Sequence, residues 1–96
     1  MAEPRVDCRT PNPDRSGITR IPEWKFDAVR ATILAVLAEG PLAFSKLKDA
    51  VGGRLSSEDL EKLGSLGWHV TTVKLELEVR GEIVRLEDTP QRIALP

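Results

Sequence analysis

The sequence predicts an α+β, mainly helical fold: three to four helices, then a C-terminal β-hairpin, with an extended arm at the N-terminus. Three observations carry this. Apolar residues recur at helical spacing from Phe26 through Val29, Ile33, Val36 and Leu37. Glycine-containing breaks at Gly40-Pro41, Gly52-Gly53, Gly64 and Gly81 divide the rest of the chain into short helices. Finally, Val70 to Leu86, VTTVKLELEVRGEIVRL, reads as a helix that Gly81 stops just before the apolar pair Ile83-Val84.

That last segment carries two patterns. From Val73 to Arg80 apolar and charged residues alternate, the period of a half-buried strand, whereas Val70, Val73 and Leu77 share one helical face. Lys, Leu and Glu dominate the middle and favour helix, and Arg80-Gly81 is a poor two-residue hairpin turn, which wants Asn-Gly or Asp-Gly. The helix reading is preferred.

In chain order, residues 1–21 read as the arm, rich in Pro, Arg, Asp and Thr, with a turn around Asn12 to Gly17. Val6, Cys8, Ile18 and Ile21 are candidates to pin it to the body; a mobile tail is the alternative. Residues 22–96 form the folded domain. The first helix begins near Pro22, with Glu23 favourable at the positive end of its dipole, and Gly40-Pro41 ends it. A second, short helix runs from about Phe44 to Val51, with Phe44, Leu47 and Val51 inward and Lys46, Lys48 and Asp49 outward. Ser56, followed three residues later by Asp59, caps a third brief helix that buries Leu60 and Leu63. The main helix spans about Leu66 to Arg80. Strands near Glu82 to Leu86 and Gln91 to Leu95 complete the chain.

Composition bounds the function. Ninety-six residues support one modest core, for which Trp24, Phe26, Phe44 and Trp68 are the candidate aromatic anchors. A single cysteine, Cys8, excludes an intramolecular disulfide framework. Without an apolar signal core or a membrane-length run, the expected setting is cytoplasmic. The formal net charge of −1 lacks the strongly basic signature of many nucleic-acid binders.

Leu34 to Val51, LAVLAEGPLAFSKLKDAV, followed by Val70 to Ile83 with its Leu77-Glu78, Gly81 and Ile83, resembles the bacterial winged helix-turn-helix pattern. The chain also resembles a family of small, functionally uncharacterised bacterial proteins with an Arg-Ile-Pro-x-Trp-like lead-in to the first helix, here Arg20 to Trp24. The winged-helix resemblance covers about residues 22–96, with extra residues between Val51 and Leu66 that a compact helix-turn-helix lacks. It implies a last helix that enters the major groove of double-stranded DNA and a wing that touches backbone. On that basis His69, Thr71, Thr72 and Lys74 on the helix, Arg85 and Arg92 on the wing, and Arg9 and Arg15 on the arm are the candidate DNA contacts. Glu76, read as exposed on the same face, and Glu78 oppose a polyanion unless each pairs with a cytosine amino group or a nearby cation.

Leu75 and Val79 lie opposite the core-facing stripe and are candidate interface residues. The arm folded back, or a second copy in a homodimer, is expected to cover them. Catalysis has little support: His69 is the lone histidine, Cys8 the lone cysteine, and no third orienting group is signalled. No metal-ligand spacing or phosphate-cradling glycine loop is present, so no cofactor is expected. Two classes remain, a small DNA-binding regulator and a non-catalytic protein-interaction module.

Overall fold

Arg5–Cys8 (β1) and Thr19–Pro22 (β2) form an antiparallel pair at the start of a computed structural model that describes residues 4–10, 18–86 and 91–96. The register sets Val6 opposite Ile21 and Asp7 opposite Arg20, so alternation turns Val6, Cys8 and Ile21 to one face. Cys8 and Ile21 are buried, Val6 is half-buried and Ile18 is exposed. Three of the four expected pins therefore lie against the body. The turn expected at Asn12 to Gly17, with Arg15, lies outside the described residues, as does the link Glu87 to Pro90.

Helix α1 spans Glu23–Leu37, entered through Pro22, whose fixed φ suits a helix start. The Glu23 amide donates to the Pro4 carbonyl, tying the helix start to the strand pair. Phe26, Val29, Ile33, Val36 and Leu37 are all buried, as their spacing predicts. A two-residue strand, β3 (Leu42–Ala43), comes after the Gly40-Pro41 break, and the sequence signals did not predict it. Two residues carry no readable period; pairing with a distant strand makes them β.

Helix α2 spans Phe44–Gly52 and buries Leu47 and Val51 completely, leaving Phe44 half-buried. Helix α3 spans Ser57–Leu63; the Ser56 hydroxyl accepts from the Asp59 amide at 3.1 Å, the predicted cap. Leu63 is buried and Leu60 half-buried, and the Lys25 ammonium donates to the Leu63 carbonyl, fastening the end of α3 to α1.

Helix α4 spans Leu66–Arg80, the predicted bounds. Ser65 caps its start, accepting from the Trp68 amide. Gly81 ends it with φ of 76°, a conformation that favours glycine, while the Glu82 amide bonds back to the Leu77 carbonyl. Strands β4 (Val84–Leu86) and β5 (Arg92–Ala94) complete the fold, and the sheet order is β3-β5-β4, antiparallel throughout.

The core lies where α1, α2 and the sheet meet α4: Ile33, Leu47, Val73, Leu77, Ile83 and Ile93 are essentially inaccessible. Each such side chain contributes roughly 1.5–3 kcal/mol of burial. The aromatic anchors divide differently from expectation. Phe26 is buried, but Trp24 is 37% and Trp68 48% exposed, because aliphatic side chains fill the inward positions of their helices. No helix among the described residues is long and apolar enough to cross a membrane.

Candidate functional site: the outward face of α4

Helix α4 is the middle of the molecule, packed against α1, α2, α3 and β1. At 100° per residue, Val70, Val73 and Leu77 point to the core, and Trp68, Thr72, Leu75 and Val79 fall within about 60° of arc on the opposite side. Glu76 and Glu78 flank that outward stripe, each about 80° from its centre. Trp68 stands exposed at one end, and Thr72, Leu75 and Val79 are half-buried. β1 packs against α4, with Arg9 reaching Glu76 on the flank of the stripe.

On one flank Glu76 is fully buried, contrary to its expected exposure. The reason is Arg9, just beyond β1. Its backbone amide donates to Glu76 Oε1 at 2.8 Å, its Nε to the same oxygen at 3.0 Å, and its Nη2 to Oε2 at 2.7 Å. Arg80, one turn on, adds a 2.8 Å bond from Nε to Oε2. Burial by itself would push this carboxyl up, but the bonds from the Arg9 side chain, from Arg80 and from the Arg9 amide together hold it at about 2. Arg80 also lies over the Phe26 ring and 3.7 Å from Glu82, which pairs with Arg30 of α1. The chain Arg9–Glu76–Arg80–Glu82–Arg30 thus links the N-terminal strand, α4 and α1.

The other flank is built locally. Glu78 Oε1 accepts from Lys74 Nζ and from Arg85 Nε of β4, both at 2.8 Å. Lys74, expected at the edge of an exposed face, is 3% exposed, with its ammonium 4.5 Å from the centre of the Phe44 ring. Burial lowers its pKa despite the Glu78 partner. Glu78 Oε2 is buried with no hydrogen-bond partner among the described residues.

The remaining candidates scatter. His69, expected on the exposed face, is 7% exposed and turns Nδ1 to the Ser65 carbonyl at 2.6 Å, because its helical position faces the packed side rather than the stripe. Trp68 meets it edge-on. Thr71 is exposed and Thr72 half-buried. Arg85 pairs across the sheet with Ile93, so Arg92, one residue before Ile93, lies on the opposite sheet face. Arg9 and Arg85 stand on opposite flanks of α4 with Lys74 buried beneath, so these cations do not converge on one basic surface. Sequence reasoning missed Arg80, Glu82 and Arg30. The spacings Glu76 to Arg80 and Lys74 to Glu78, each i to i+4, were the signal that could have found the local pairs.

Elsewhere the chemistry is sparse. Cys8 is buried, and burial together with the Glu76 charge raises its thiol to about 11, so it is a poor nucleophile. An open hollow of about 290 Å³ between α1 and α2 is lined by Val36, Pro41, Leu42 and Ala50, and its charged lining residues, Glu39 and Arg54, pair with each other. Among the described residues no cluster of His, Cys, Asp or Glu is arranged to hold a metal.

No curated protein and no solved structure matches the chain. A family model does match, over residues 5–93, which takes in the N-terminal strands and the sheet as well as the helices. The chain therefore belongs to DUF6958, a family of unknown function.

Proposed function

We propose that this chain is a non-catalytic protein-interaction module on a winged-helix-like framework. The framework reading is supported by the order α1, β3, α2, α3, α4, β4, β5 and by a short strand after the first helix that joins the terminal hairpin in one sheet. The helix α3 is an insertion relative to a compact helix-turn-helix.

One observation carries the choice of protein over DNA. The cations around the outward face of α4 do not converge on one basic surface: Arg9 on Glu76 and Arg85 on Glu78 stand on opposite flanks, and Lys74 is buried. DNA affinity comes mainly from cations that neutralise phosphates, and a reading helix must project its side chains into a groove. Here Thr72, Leu75 and Val79 are half-buried between flanking elements. An apolar and hydroxyl-bearing stripe suits a protein surface better.

The second reading, a small DNA-binding regulator, draws on a different place. Lys46 and Lys48 on α2 are exposed, and Lys48 lies beside Gly67 at the start of α4, near the exposed Thr71. The test is retention of the chain on mixed-sequence duplex DNA at low salt. The protein reading expects none. Retention that weakens steeply as salt rises and disappears in a Lys46→Glu, Lys48→Glu variant would establish the DNA reading instead.

A further inference from the structure

We infer that the outward stripe of α4 is a docking groove for an amphipathic helix of another protein, one whose apolar face is bordered by carboxylates. This rests on the protein-interaction reading and names the partner's chemistry.

The groove has a floor and two borders. Thr72, Leu75 and Val79 form the floor, with Trp68 at one end; they recur at i, i+3 and i+7, the straight stripe against which the ridge of a second helix packs. From Trp68 to Val79 the stripe is about 16 Å long, room for roughly three turns of a partner. Arg9 forms one border and Arg85 the other, because Glu76 and Glu78, which hold them, flank the stripe on opposite sides. Both arginines remain accessible despite those bonds: the Arg9 side chain is 52% exposed and that of Arg85 45%. Glu76 and Glu78 fix the two guanidinium groups in place, so the side chains are pre-ordered before a partner arrives.

Charge selects the occupant. A partner with Asp or Glu beside its apolar residues meets an arginine on each border, and guanidinium groups favour carboxylates in paired geometry. A second copy offers the same arginines and the same stripe, so an α4-to-α4 contact brings like charges together. A basic amphipathic helix is disfavoured for the same reason. Tryptophan and arginine at the margins of an apolar floor are also the residue types that dominate protein interfaces.

The experiment selects from a displayed library of random peptides of about 18 residues, long enough to cover the groove as a helix. The bait is the full chain. The inference expects enriched peptides with apolar residues at i, i+3 or i+4, and i+7, flanked by Asp or Glu. It expects Leu75→Lys and Arg85→Glu each to weaken the selected peptides by about tenfold or more, as loss of an interface anchor does. Replacing with Lys only the peptide acids that face Arg85 should restore binding to the Arg85→Glu chain, a rescue that a merely misfolded variant cannot give. Circular dichroism of both variants should match that of the wild-type chain. No enrichment, enrichment of basic or purely apolar peptides, or affinities indifferent to both substitutions would overturn the groove. So would self-association of the chain that Leu75→Lys abolishes, because the groove would then hold a second copy. Salt-sensitive retention on duplex DNA sinks the protein reading itself, whereas failed selection without DNA retention sinks only the groove.

Discussion

Glu76 and Glu78 lie two residues apart on α4, and both carboxylates are buried, yet the protein satisfies them in different ways. Glu76 has four donors shared over both oxygens, three of them from Arg9, 67 positions away in the chain. Glu78 has Lys74 and Arg85 on one oxygen and, among the described residues, nothing on the other. The first arrangement depends on tertiary closure of β1 over α4; the second uses the preceding helical turn and the strand just after the helix. Buried acids can therefore be tied to the global fold on one side of a helix and to local structure on the other.

Substitutions on the two flanks should separate these arrangements. The largest effect is expected from Glu76→Gln, which turns a buried acceptor-only group into one that points N–H toward two guanidinium groups. Urea denaturation should show a loss of about 3 kcal/mol with an unchanged slope, in the range for breaking a buried ion pair. Arg9→Ala should lower the urea midpoint in the same sense and raise the Glu76 pKa. A cost for Glu76→Gln smaller than for any change at Glu78 would reverse the comparison.

Acid should act through the same group. Glu76 ionises at about 2 in the folded chain against an ordinary value of 4.5. Its folded pKa is depressed, so its contribution is full above the unfolded value and is lost as pH falls from about 4.5 towards 2. Over that window about 3 kcal/mol should disappear from the wild-type chain. The Glu76→Gln variant should lack that part of the acid limb, and an acid limb unchanged by this substitution would place the sensitive group elsewhere.

The Glu78 flank should respond more weakly. Lys74→Met leaves Arg85 on the carboxylate and keeps contact with Phe44, so a loss of about 1–2 kcal/mol is expected. Adding Glu78→Leu should recover most of it, bringing the double variant within about 1 kcal/mol of wild type, as replacing both members of a buried pair with apolar groups often does. The smallest effect belongs to Lys62→Ala, which removes the exposed i to i+4 pair with Glu58 and should change stability by no more than about 0.5 kcal/mol.

The same division marks what could be read from the sequence. The bounds of α4, the buried stripe of α1 and the Ser56 cap were legible because each rests on signals within a few residues: periodicity, a serine three residues before an acid, a glycine at a helix end. Leu75 and Val79 were legible as outward residues for the same reason. The burial of Glu76 was not, since no local pattern announces a partner at Arg9. Lys74 was misplaced because a helical wheel gives direction but not what neighbouring elements, here Phe44 and Glu78, bring over it. Trp68 and Trp24 stand at outward helical positions, which decide their exposure against their size and hydrophobicity. The strand β3 was missed because its pairing lies about fifty positions on, Leu42 with Ile93.

Whether the acid at the middle of α4 belongs to the interior, closed over by Arg9, can be read by following the Glu76 carboxyl carbon by NMR as the folded chain is acidified. The structure predicts that it stays ionised until pH approaches about 2, well below an ordinary glutamate. Titration near 4.5, the ordinary value, would mean that Arg9 does not close over α4 and that the contrast between the two flanks is wrong.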